Sequence, residues 1–137
     1  MNTKELPLVT FEQAKRLKKL GFDWEIFEFY AENGNSNHWK NAKYDMPKNW
    51  NIMHDYKSYD IFYSAPTVAL ALKWMRDVKG IRCSLNQVLI FGKTSNRYSF
   101  SYNKTYGCEY CTQEFDTYES AESTLLDELL RILEKDV

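Results

Sequence analysis

The residues with the clearest chemical potential are Cys108 and Cys111, which stand in a C-x-x-C arrangement as Cys108-Glu109-Tyr110-Cys111. With Cys83 and either His38 or His54 they could supply the thiolate and imidazole ligands that structural zinc takes. Two features weigh against that chemistry. No second C-x-x-C and no paired histidines stand at zinc-finger spacing, and both thiols fall in a predicted strand, where an odd separation puts them on opposite faces. A redox dithiol would need a helix N-terminus to lower its pKa, and none is predicted here. Buried, unreactive cysteine is the expectation, with no metal and no cofactor.

Nucleophilic and acid–base catalysis find no better support. The chain has two histidines, and the neighbours His54 and Asp55 cannot orient each other as a catalytic base and its partner acid do. The five glycines form no phosphate-cradling loop. Asp127-Glu128 is a carboxylate pair on a predicted helix surface, most simply solvated. No residue is assigned as catalytic, and the chain reads as a non-enzyme.

Aromatic side chains are the stronger signal, at 16% of the sequence. Trp39, Trp50, Tyr56 and Tyr59 lie in an irregular stretch, and rigid amphipathic side chains of this kind are enriched at contact surfaces. They are the binding candidates; the competing reading has them closing over the core beneath a long loop. A different set, Tyr98, Phe100 and Tyr102 with Lys93, Arg97 and Lys104, could stack bases and follow phosphates on an open sheet. The balance of 18 basic against 19 acidic residues favours a sheet covered by helices instead.

The elements that must position these residues follow from pattern. Residues 10–21 predict a helix: Thr10 and Gln13 form a capping box, and Phe11, Ala14, Leu17 and Leu20 make one apolar stripe. Gly21 suits the left-handed position that ends a helix, with Phe22 packing back on Leu17. The basic run 15–19 is read as a solvated face rather than a phosphate contact. Residues 23–30 predict a strand, Asn33-Gly34 a hairpin turn, and 38–44 a returning strand. Residues 45–63 are irregular, either short strands that pattern cannot place or a loop kept for binding.

Ser64-Ala65-Pro66-Thr67 opens a second helix, with Pro66 suited to the first turn and Thr67 an alternative cap. Its stripe is Leu70, Ala71, Trp74, Met75 and Val78, and Gly80 ends it. From Ile81 the period is two, with a bulge expected near Asn86-Gln87. Residues 92–96 predict a turn, Tyr98 to Tyr102 alternate as a strand, 103–107 turn again, and 108–115 return. Residues 117–133 predict a third helix capped by Asp116 or Thr117, with Ala121, Leu125, Leu129 and Ile132 on its apolar face. The fold class is α+β: an antiparallel sheet, made of a hairpin and a three-stranded meander, covered on one face by about three helices.

At 137 residues the chain suits a single domain, 1–137, able to bury roughly 68% of its unfolded surface without disulfide or metal. The N-terminus holds no signal-peptide-like apolar run, and no window approaches the ~18 apolar residues of a membrane span. Three cysteines without an export signal suggest reduced thiols in a cytoplasm.

Four stretches together resemble a family of small α+β proteins of gut-bacterial and prophage genomes. They are Thr10-Phe11-Glu12-Gln13-Ala14-Lys15 with Leu20-Gly21-Phe22, Ala65-Pro66-Thr67, Lys73-Trp74-Met75-Arg76, and Thr117-Tyr118-Glu119-Ser120-Ala121-Glu122. Each is a capping-and-packing motif, so the resemblance implies a fold and an origin near mobile elements and transfers no activity. Met75 stands where such relatives carry leucine, a volume-conserving swap. The expected function is therefore a non-enzymatic cytoplasmic domain that binds a protein, or a second copy as a homodimer, through residues 39–59. A nucleic-acid-binding accessory of a prophage is the alternative; a membrane partner is disfavoured, and no small-molecule substrate is identified.

Overall fold

The computed structural model describes residues 6–33, 38–55, 60–104, 107–110 and 113–135, with backbone alone at 54–55, 94–95, 104 and 107–110. Among these residues the chain is α+β: α1 (Phe11–Lys19), β1 (Ile26–Asn33), β2 (His38–Lys48), a 3-10 turn (Trp50–Ile52), β3 (His54–Asp55), β4 (Asp60–Ser64), α2 (Val68–Lys79), β5 (Cys83–Ile90), β6 (Lys93–Lys104), β7 (Gly107–Tyr110) and α3 (Tyr118–Lys135). Length alone suggests one domain; the backbone contacts group into two compact units, Leu8–Thr67 and Val68–Lys135. The hairpin and the meander are both present, each in its own hydrogen-bonded sheet.

In the first unit the strand order is β2-β1-β4-β3. The capping box of α1 is complete, with the Thr10 N–H donating to Gln13 Oε1 (2.9 Å) and the Gln13 N–H to Thr10 Oγ1 (3.1 Å). Gly21, at φ +93°, ends the helix as its missing Cβ permits. The Phe22 N–H reaches the Leu17 carbonyl (3.0 Å) and the Gly21 N–H the Lys18 carbonyl (3.1 Å), the two bonds of a Schellman ending.

The sheet has two aromatic faces. On one, Phe11 of α1 meets Tyr30, Trp39 and Tyr63 at ring distances of 5.7, 4.8 and 5.5 Å. On the other, Trp50 meets Phe29, Tyr44 and Phe62 at 4.2, 5.7 and 6.2 Å. The described residues of the stretch 45–63 are thus mostly strand or 3-10 turn: β2 runs on to Lys48, and β4 inserts between β1 and β3.

At residues 64–67 the structure takes the alternative phasing, with Thr67 before the helix. The helix begins at Val68, so Thr67 occupies the cap position and Pro66 lies before the first turn. The Pro66 carbonyl instead accepts the Val9 N–H (2.9 Å), and the Ala65 N–H donates to the Glu28 carbonyl (3.0 Å). Tertiary hydrogen bonds, absent from any local rule, draw Ala65 and Pro66 out of the helix.

In the second unit β5, β6 and β7 form a meander. The bulge falls between Gln87 and Leu89, next to the expected place. Phe100 and Tyr102 are buried, and α3 packs on β6 with Ala121, Leu125, Leu126, Leu129 and Leu130 also buried. Thr117 caps α3, its hydroxyl accepting the Ser120 N–H at 3.1 Å. The expected turn at 92–96 is replaced by a tighter one. Ile90 pairs with Lys93, leaving Phe91 (φ +51°) and Gly92 (φ +78°) as a two-residue hairpin loop.

Two positive φ values make this a type I′ turn, which favours asparagine or glycine at its first position. Phe91 gains nothing from packing there, since it is fully exposed. Replacing Phe91 by Asn should therefore raise stability by about 1 kcal/mol, relieving a left-handed bulky residue. A urea midpoint unchanged or lowered in that variant would contradict the turn geometry.

Candidate functional site

Strand β2 is an edge strand of eleven residues in which only Ala42 and Lys48 are half-buried and the rest are exposed. Its register on β1 sets Tyr30 opposite Asn41, Glu32 opposite Trp39 and Glu28 opposite Lys43. Period two then sends Trp39 to the α1 side of the sheet and Tyr44 to the Trp50 side. An edge strand presents unpaired backbone donors and acceptors along its free side. Trp39 (51% exposed), Tyr44 (45%) and Met46 (59%) flank that row with large apolar surface.

Of the sequence-predicted binding residues, Trp39 is placed on this edge. It is anchored without being covered: its ring stacks on Phe11, 10° from parallel, and stands perpendicular to Tyr30. A cleft of 440 Å³ beside it is lined by Leu8, Val9, Phe11 and Tyr30. Trp50 is a core residue at 5% exposure. Its indole N–H donates to the Ile26 carbonyl (2.7 Å) and its backbone N–H to Ser64 Oγ (3.1 Å). Tyr56 and Tyr59 lie outside the described residues. Tyr44 and Met46 also present large apolar surface there; Tyr44 closes the strand predicted over 38–44 and Met46 lies beyond it, and no local signal marks the strand as an edge.

The basic run of α1 takes part in packing. Lys18 Nζ donates to the Phe62 carbonyl (3.0 Å) and lies 4.7 Å from the Tyr63 ring, and burial lowers its pKa. The stacking-platform residues do not form an open surface. Phe100 and Tyr102 are buried, and the Tyr102 hydroxyl donates to Glu128 Oε1 at 3.0 Å, so Glu128 is not simply solvated. Arg97 is held by Glu114 (2.9 Å) and Asp116 (2.7 Å). Among the described residues no helix is long and apolar enough to cross a membrane.

The thiols divide. Cys111 lies outside the described residues and Cys108 is described by its backbone alone. Cys83 is half-buried and borders a concavity of 340 Å³ shared by α2, β5 and α3, together with Arg76, Tyr118 and Glu122. Burial pushes the Cys83 thiol up, Arg76 lowers it and Glu122 raises it further, which leaves it protonated and a poor nucleophile. Glu122 is buried at 5% exposure and hydrogen-bonds to no described residue. Burial, then Glu119, raises its pKa above the usual carboxylate value.

A raised carboxyl pKa makes folding stability highest below the ordinary carboxylate range, where the group is neutral in both states. That stability is lost as pH rises through the folded-state pKa. Glu122→Gln removes the titration, so wild type and variant should have similar urea midpoints at about pH 4, with the variant gaining on wild type toward about pH 7.5. A wild type that gains on the variant with rising pH would mean that Glu122 is paired as an anion.

In comparisons with protein families, curated proteins and solved structures, nothing matches this chain.

Proposed function

We propose that this chain is a protein-binding domain whose binding element is the edge of β2, where an extended segment of a partner adds as a further strand. The observation that carries this reading is the edge itself: eleven residues long, exposed, and furnished with Trp39, Tyr44 and Met46. Main-chain hydrogen bonds would supply affinity in such an interface, and side chains on alternate positions its selectivity.

Charge chooses the partner. β2 carries Lys40, Lys43 and Lys48 against one acid, Asp45. Two copies paired antiparallel about the strand's midpoint would set Lys43 opposite Lys43, and like charges directly opposed are destabilising. Pro47 also removes a backbone donor from the strand. These features suit a heterologous, acidic segment better than a second copy. The prophage-type resemblance carries no activity, and the proposal takes nothing from it.

Extended peptides selected from a displayed random library on the purified protein should be acidic. They should shift the backbone amide resonances of 38–48 and bind more weakly as salt rises. Selection of no peptide, or of peptides whose shifts fall away from β2, would sink the proposal. Light scattering of the free protein should give a monomer.

A further inference from the structure

The concavity of the second unit has a chemistry that packing alone leaves unexplained. Its wall is apolar where Leu72, Leu85 and Leu125 border it, and two groups of opposite charge type border the same space: Glu122 from α3 and Arg76 from α2. Glu122 is 95% buried by its 5% exposure and is without a hydrogen-bond partner among the described residues. A carboxyl on a side chain so nearly withdrawn from water gains from a cationic partner in the space it borders. Arg76 is half exposed and is engaged, among the described residues, only through Nε, which meets Asp77 Oδ1 at 3.3 Å. Cys83 borders the same space.

From this arrangement we propose a small-molecule site in the 68–135 unit that binds a zwitterion with a short apolar body, its ammonium group on Glu122 and its anionic group on Arg76. A lone cation would be opposed by Arg76 and by Lys73, which also borders the space; a lone anion would be opposed by Glu122 once ionised. A molecule carrying both charges satisfies both, and its carbon skeleton covers the leucines. The volume of 340 Å³ accommodates a molecule the size of an amino acid. This site shares no residue with the β2 edge and stands independently of that reading.

Calorimetric titration of the full chain with norleucine and ε-aminocaproate, and with pentylamine and pentanoate as single-charge controls, tests it. One or both zwitterions should bind, and the preference between them reports the charge separation the site demands. Affinity should fall about tenfold in Glu122→Gln and in Arg76→Gln, the loss expected for one charge-assisted hydrogen bond. Trp39→Ala should leave it unchanged. Arg76 is on the surface, so its variant folds and reports on binding by itself. Absence of zwitterion binding at about 10 mM, an affinity that ignores either substitution, or a single-charge control binding as tightly would overturn the proposal.

Discussion

Replacing Trp74 by Ala should destabilise the protein by about 3–5 kcal/mol, the cost of emptying an indole-sized volume from a close-packed interior. Trp74 lies on α2 at 1% exposure, with Ala71 and Met75 of the same helix at 0%. The stripe Ala71, Trp74, Met75 is what the helical period demands. Val78 belongs to that stripe by period yet is 52% exposed, so burial fades toward the helix end. Lys79 Nζ lies 5.4 Å from the Trp74 ring centroid, which adds a cation–π contact at the margin of the buried indole. Urea unfolding followed by far-UV circular dichroism measures the loss without relying on the removed fluorophore. A near-neutral outcome would put Trp74 on the surface and reopen a binding role for α2.

Trp50→Ala should cost a similar amount, about 3–5 kcal/mol, and Trp39→Ala no more than about 1 kcal/mol, because a half-exposed ring loses little burial. The contrast separates two tryptophans that composition cannot tell apart. Trp50 is buried on the β-sheet face that also holds Phe29 and Phe62, and its indole N–H satisfies the Ile26 carbonyl. Its neighbour Asn51 completes the arrangement: the Asn51 side chain donates to the Phe22 carbonyl (2.8 Å) and accepts the Ser64 N–H (2.9 Å). Trp50→Phe keeps most of the volume but removes the buried donor to the Ile26 carbonyl, so about 1–3 kcal/mol of the loss should persist. The reverse order, with Trp39 costly and Trp50 neutral, would invert the assignment of core and edge. Peptide binding supplies the complementary readout, since Trp39→Ala should weaken it while leaving the fold intact.

The two aromatic faces explain why a composition so rich in aromatics yields few free contact residues. Phe11, Tyr30 and Tyr63 are consumed on one side of the sheet, Phe29, Trp50 and Phe62 on the other. The Tyr30 hydroxyl, the polar end of one of these rings, donates to the Val9 carbonyl at 2.6 Å. Trp39 and Tyr44 stay exposed on β2 because an edge is where a small sheet has no neighbour to cover it, and Phe27 stays exposed on β1 beside the register shift.

Local chemistry carried the parts of this fold that depend on a few consecutive residues. The capping box of Thr10 and Gln13, the Gly21 ending with Phe22 and Leu17, the Thr117 cap, and the alternation of Phe100 and Tyr102 all stand as their spacing requires. Each satisfies backbone groups or sorts faces within a turn or two of chain, so no distant partner is needed to read it. The tertiary structure alone decided the rest. β4 is only five residues long, and it becomes a strand by pairing with β1, some thirty positions earlier, as Tyr63 meets Tyr30. Trp50 is core because Ile26 and Ser64 come to meet it, and Glu122 faces a concavity because α2 and β5 bound the space beside α3. Sequence periodicity records which face of an element is apolar; it holds no record of which other element arrives there, and both candidate sites are made of such arrivals.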